Sequence, residues 1–167
     1  RSKIKKRITA RIIQSNRTRS NKALNNKVCN KLKIKNWMKR NIHTISKDDS
    51  VLEASKKMKD NFVGNLVVVE NGSPVGIVTE RDICYKVVAM DKSTHAVAVE
   101  SVMTKTLITA QVDDTISEVS RRMGLAKIKQ IPVVDNKYSL VGIITSSDLV
   151  RVVSHFQKDL DSMITTK

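Results

Sequence analysis

Apolar residues come along this chain in short blocks whose spacing alternates between helix-like and strand-like. Val51, Leu52, Ala54, Ser55 and Met58 mark one face of a helix, as do Ile116, Val119 and Met123 further on. Both helices open on a hydroxyl residue with glutamate three places later, Ser50-Val51-Leu52-Glu53 and Thr115-Ile116-Ser117-Glu118. That spacing predicts a capping box: the hydroxyl accepts from the N3 amide, and the carboxylate accepts from the N-cap amide. Unbroken valine-rich blocks at 66–69 and 131–134 are β-branched and bounded by polar residues, which predicts buried strands. Turns at Asn71-Gly72-Ser73-Pro74 and Asn136-Lys137-Tyr138-Ser139 lead into further strands at 75–78 and 140–144. Helices are expected next, over 80–89 and 146–156, and a short strand precedes each unit at 43–45 and 108–110.

The order strand, helix, strand, strand, helix thus occurs twice, and residue identities repeat with it. A displacement of 65 carries Met38 onto Met103, Asp48-Asp49 onto Asp113-Asp114, Glu53 onto Glu118, Met58 onto Met123 and Val68-Val69 onto Val133-Val134. One extra residue near Tyr138 changes the displacement to 66, which carries Val75-Gly76-Ile77 onto Val141-Gly142-Ile143, Thr79 onto Thr145 and Asp82 onto Asp148. Two copies of one supersecondary unit are present. The expected fold class is α+β: two β-α-β-β-α repeats packed about a pseudo-twofold axis, with clefts between their sheets. The expected division is a basic arm over 1–35, repeats over 36–91 and 99–156, a connector around 91–101, and a tail over 157–167.

Composition changes this picture at the N-terminus. The formal net charge is +15. Residues 1–40 hold 15 Lys or Arg and no acid, whereas residues 41–167 hold 16 of each sign. The body is neutral and all the excess sits on the arm. Ile4, Ile8, Ile12 and Ile13 lie at helical spacing among its cations. Such a stripe suits an anionic membrane or nucleic acid, and an acid-free segment with arginine also resembles an organelle-targeting peptide. The polar run after Asn16 reads as disordered, with nonspecific nucleic-acid binding expected at low salt. Aromatic content of 3% leaves core packing to Val, Ile, Leu, Ala and Met, in runs too short for a transmembrane helix. Cys29 and Cys84 form no CxxC pair, which fits a reducing, cytoplasmic setting, and Cys84 reads as a small buried apolar residue. His43, His95 and His155 lack partners at metal-ligand spacing, and no phosphate loop or nucleophile–base arrangement is apparent. No metal, no catalytic residue and no enzymatic activity are expected.

The candidate chemistry lies in GIVTERD, Gly76 to Asp82, and GIITSSD, Gly142 to Asp148. Thr-x-x-Asp at a strand-to-helix junction is readable as a cap. Two details favour a ligand: the acid is the shorter aspartate, and a glycine three residues before the threonine admits a close approach to the backbone. A carboxylate near a helix start stays ionised and can accept from two neighbouring hydroxyls, such as those of a ribose.

The duplicated frame, the two Thr-x-x-Asp segments and Gln130-Ile131-Pro132-Val133-Val134-Asp135 resemble the tandem CBS (cystathionine β-synthase type) domain pair over residues 37 to 156. The resemblance implies a stand-alone regulatory module that binds an adenosine-containing ligand (AMP, ADP, ATP or S-adenosylmethionine), forms a homodimer and signals to an unidentified protein partner. It implies ribose contacts from Thr79 with Asp82 and from Thr145 with Asp148. The base is expected beside Thr44, Ile45, Thr109, Ala110, Asn65, Leu66, Gln130 and Ile131. Arg81 is expected at a phosphate of the first site, where the second site has Ser147, and Lys129 and Lys105 at a phosphate of the second. Departures at Val67 against Pro132 and Glu70 against Asp135 imply that the sites are not equivalent. The rival reading is a nucleic-acid-binding protein that acts through its arm, with the repeats as a dimerisation platform.

Overall fold

The two valine-rich blocks become the middle strands of two three-stranded sheets in a computed structural model of the chain, which describes residues 32–165. In the first repeat, β1 (Thr44–Ser46) lies parallel to β2 (Asn65–Glu70), and β2 pairs antiparallel with β3 (Ser73–Thr79). Helix α1 (Val51–Asn61) is the crossover between β1 and β2, and α2 (Glu80–Lys86) follows β3. A short helix, α3 (Val99–Val102), comes before the second repeat, which has β4 (Ala110–Gln111), α4 (Ile116–Ala126), β5 (Gln130–Val134), β6 (Leu140–Thr145) and α5 (Ser146–Thr165). Both sheets slip register at the same place, between Val68 and Val69 and between Val133 and Val134. The fold is α+β, with two related repeats. No described helix is long and apolar enough to cross a membrane. The isoleucine stripe, Cys29 and most of the expected arm lie outside the described residues.

Local chemistry sets the element boundaries. Ser50 Oγ accepts from Glu53 N at 3.1 Å while Glu53 Oε2 accepts from Ser50 N at 2.9 Å, and Thr115 and Glu118 repeat this at 3.3 and 2.8 Å. Both helices end on a left-handed residue, Phe62 (φ 53°) and Lys127 (φ 55°), with the next amide bonding five residues back. The first hairpin turns on Asn71-Gly72 alone, both at positive φ, so β3 starts at Ser73 and takes in Pro74 rather than starting at 75. The second hairpin is longer: the Asp135 carboxylate accepts from the amides of Lys137 and Ser139, and Tyr138 turns left-handed. The inserted residue is absorbed there. Helix α2 stops at Lys86, short of the expected 89, where Val87 is fully buried and its carbonyl accepts from both Met90 and Lys92. Helix α5 runs past 156 into the expected tail. Cys84 is exposed, because Ile83 and Val87 take the buried positions of that turn.

The largest departure from the sequence reading is where the segments before each repeat go. The stretch expected as a connector, together with the expected start of the second repeat, belongs to the first core: Val97, Val99, Val102 and Met103 pack with Ile45, Leu66, Val68 and Val78. Residues 32–39, divided at 35 between the expected arm and the first repeat, belong to the second core, where Ile34 and Met38 pack with Ala110, Val119, Ile131 and Ile144. Each segment therefore packs on the repeat that it does not lead into. The bonds correspond pair by pair: Val99 N to Asp49 O and Val51 N to Val97 O on one side, Ile34 N to Asp114 O and Ile116 N to Leu32 O on the other. Ile34 is fully buried, and a side chain of that size is worth about 1.5–3 kcal/mol on burial.

One ion cluster fixes the start of the N-terminal segment. Lys33 and Lys35 both donate to Asp113 Oδ1 at 2.9 Å, which holds its carboxyl at about 2 against an ordinary 3.8. The folded value is the lower one, so this stabilisation is present above about pH 4 and is lost as pH falls towards 2. Trp37 is the chain's single tryptophan and packs against His155 and Phe156. Its emission is expected to shift across that acid window. In Asp113→Asn the acid step in Trp37 emission should shrink, and an unchanged step would assign it to other carboxylates.

Candidate functional site

Strands β3 and β6 deliver Thr79 and Thr145 to equivalent helix starts, and both Thr-x-x-Asp segments form capping boxes. Asp82 Oδ2 accepts from Thr79 N (3.1 Å) and Thr79 Oγ1 (2.6 Å), and Thr79 Oγ1 accepts from Asp82 N (3.2 Å). In the second repeat the same three distances are 2.9, 2.7 and 3.4 Å. Aspartate thus closes the box as glutamate does, and its shorter length is no argument against a cap. The other carboxylate oxygens are engaged by Lys86 (2.7 Å) and Arg151 (3.2 Å). Burial works against ionisation of Asp82, but the bonds from Lys86 and Thr79 outweigh it and hold the carboxyl below its ordinary range. Asp148 is 2% exposed and is the one buried charged side chain among the described residues.

The glycines serve a purpose other than the expected one. A Cβ built on Gly76 would lie 2.5 Å from Met103 Sδ and 3.2 Å from Thr104 O; one on Gly142 would lie 2.6 Å from Met38 Sδ and 3.2 Å from Lys39 O. The group that approaches the backbone is the exchanged segment. It adds a bridge to each sheet, Ile77 with Thr104 and Ile143 with Lys39.

Each threonine opens on a cleft between the repeats. The cleft at Thr79 has a volume of about 570 Å³; it is lined by Asn65, Ile77, Thr79 and Arg81 with Thr104, which bridges Ile77, and by Ile108, Lys127, Lys129 and Gln130 of the second repeat. The cleft at Thr145, about 500 Å³, is lined by Lys39–His43, Val63, Asn65, Gln130, Ile143 and Thr145. Both volumes suit a small organic ligand. Asn65 and Gln130 line both clefts. Each hydroxyl gives its hydrogen to the aspartate and one lone pair to the aspartate amide, leaving one acceptor for a donor in the cleft.

Of the sequence-predicted residues, the structure brings Thr79, Arg81, Asn65, Gln130 and Thr145 to the clefts. Asp82 and Asp148 stand behind their threonines and line neither cleft. Ile45, Leu66, Ala110 and Ile131 are buried in the two cores, because alternate residues of a strand face opposite ways. Thr44 and Thr109 line neither cleft; Ile42, His43, Leu107 and Ile108, just before those strands, do. Lys129, expected at the second site, stands with Arg81 in the Thr79 cleft, whereas Lys105 pairs with Glu100 and lines neither. Sequence reasoning missed Lys39, Arg40, His43 and Lys127, whose places follow from the segment exchange and the left-handed helix end. Among the described residues no group of three His, Cys, Asp or Glu side chains could hold a metal ion.

The clefts differ in where their cations come from. In the Thr79 cleft they are Arg81, which also stacks over Tyr85 at 5.3 Å, with Lys127 and Lys129, and Glu80 stands beside them. In the Thr145 cleft they are Lys39 and Arg40, both on the exchanged N-terminal segment. The counterpart of Lys127 is Phe62, which is 96% exposed.

Comparison with known proteins agrees with this architecture. Residues 34–89 and 99–155 match the CBS domain family. An uncharacterised protein of Methanopyrus kandleri is 33% identical over 115 residues, which cover 68% of this chain and 59% of that protein. Against this and two Methanocaldococcus jannaschii relatives, the matched region spans 59%, 35% and 50% of their lengths. The solved CBS domain pair of protein MJ0100, in complex with 5′-methylthioadenosine and S-adenosyl-L-methionine, superposes with a TM-score of 0.65 at 32% identity, covering 72% of this chain and 98% of that one. A conserved protein from Pyrococcus horikoshii superposes at 0.66 with 36% identity, covering 74% and 92%.

Proposed function

The chain belongs to the CBS domain family, and on that footing we propose that it is a regulatory module whose two clefts bind an adenosine-containing ligand. The observation that carries this reading is the pair of threonine hydroxyls, each oriented by an aspartate so that an acceptor faces an inter-repeat cleft. A ribose hydroxyl supplies the matching donor. The binding of 5′-methylthioadenosine and S-adenosyl-L-methionine by the similar MJ0100 pair supports the ligand class. AMP, ADP or ATP suits the cations of either cleft, and Arg81, Lys127 and Lys129 favour phosphate at Thr79.

Such a ligand touches both repeats at once, so its affinity differs between arrangements of the pair, and that difference is what a partner protein reads. The module regulates rather than catalyses. Tyr85, Val88, Met90, Val150 and Val153 are exposed around the two Thr-x-x-Asp helices and support a homodimer through them. A thermal-shift series with AMP, ADP, ATP and S-adenosylmethionine tests the reading. A ligand at a hundred times its Kd stabilises by about 2.7 kcal/mol, a displacement of several degrees. If no adenosine compound moves the melting curve, the module is not an adenosine sensor.

A further inference from the structure

The two clefts carry the same balance of lining charge, three cations less Glu80 at Thr79 and two cations at Thr145, but on different parts of the molecule. Arg81 belongs to a helix start, Lys127 to a helix end and Lys129 to the turn before β5, all inside the repeats. Lys39 and Arg40 belong to the segment that continues back into the acid-free, lysine- and arginine-rich stretch. That segment docks through two buried residues, Ile34 and Met38, the Asp113 cluster, and backbone bonds that join Leu32 to Ile116, Ile34 to Asp114 and Lys39 to Ile143. Arg151 adds a bond to the Trp37 carbonyl at 2.9 Å.

We infer that Lys39 and Arg40 are specificity-determining residues of the Thr145 cleft, and that an anionic ligand bound there locks residues 32–43 onto the second repeat. This rests on the reading of both clefts as adenosine-ligand sites. The Thr79 cleft takes the same ligand class without touching the N-terminal segment, since its equivalent wall is the internal stretch that contains Thr104 and Thr106. Ligand at Thr145 is therefore coupled to the basic stretch, and ligand at Thr79 is not. Linkage makes the coupling reciprocal: whatever loosens residues 32–39 weakens binding at Thr145. Asp113 is such a handle, because it holds the segment through Lys33 and Lys35 and lines neither cleft.

Hydrogen exchange on the full chain, with AMP as the probe, separates the possibilities. Saturating AMP is expected to slow exchange in peptides spanning 32–43 and 104–108, one for each cleft. In a Lys39→Ala, Arg40→Ala double variant, protection of 32–43 is lost and affinity at that cleft falls about tenfold or more, with 104–108 still protected. In Lys127→Ala, Lys129→Ala the pattern reverses. Asp113→Asn lowers AMP protection of 32–43 alone. Protection of 104–108 with no change in 32–43, or equal losses at both peptides in each double variant, overturns the inference and leaves the adenosine reading standing. Protection of neither peptide by AMP, ATP or S-adenosylmethionine overturns both.

Discussion

Replacing Ile131 by alanine should lower the stability of the fold by about 2–5 kcal/mol, and Leu66→Ala should do the same. Both residues are fully buried: each has 0% accessible surface, and each sits on a central strand in the middle of one core. Truncation removes three carbon atoms from a packed site and leaves a cavity that the surrounding valines fill only in part. Next to them, Asn65 and Gln130 face the clefts. Gln130→Ala should therefore stay within about 0.5 kcal/mol of the parent while changing its response to ligand. Urea denaturation measures the first effect through the midpoint at constant slope. A cost below about 1 kcal/mol for Ile131→Ala would show that the site collapses freely, contrary to the packing described.

The second large effect is expected at Gly76 and Gly142. Alanine at Gly76 places a methyl 2.5 Å from Met103 Sδ, inside van der Waals contact, and 3.2 Å from a backbone oxygen. Methionine can bend away, but the Thr104 carbonyl is held by the bridge to Ile77. Relief must come from moving the exchanged segment, at a cost of about 1–3 kcal/mol. Pairing Gly76→Ala with Met103→Ala should cost less than the sum of the two single changes, because the second removes the atoms that the first meets. Strict additivity would mean that the two residues do not press on each other. Gly142→Ala with Met38→Ala should behave alike, which tests whether the N-terminal segment is as firmly part of the second repeat as Met103 is of the first.

Features decided by neighbours in sequence were legible before the structure. The capping boxes at Ser50 and Thr115 rest on residues three apart, and the strands around Val68 and Val133 on local runs of valine. The duplication was legible because Met38 matches Met103 and Gly76 matches Gly142. What that match meant was not. A displacement of 65 pairs equivalent residues but does not say which repeat each one packs against, so the sequence assigns Ile34 to the arm and Val97 to the connector. The glycines were read as room for a ligand, when the methionine that fills the room comes from 27 residues ahead of Gly76 in one case and from 104 residues before Gly142 in the other. Leu66 and Ile131 were placed beside a ligand together with Asn65 and Gln130, although strand alternation allows only one of each pair to face the cleft. Lys127 was invisible as a site residue because its position depends on a left-handed helix end, a conformation that more often calls for glycine.

The most direct test of the adenosine reading is a calorimetric titration of AMP or ATP into the parent chain and into Thr79→Val and Thr145→Val. Valine keeps the shape of threonine but removes the hydroxyl that faces the cleft, at the cost of one cap bond, about 1 kcal/mol. The account predicts two binding events per chain, with one lost in each variant and both lost in the double variant while its fold without ligand is weakened only by the two caps. Unchanged binding in the double variant, or no heat of binding with any adenosine compound, would contradict it.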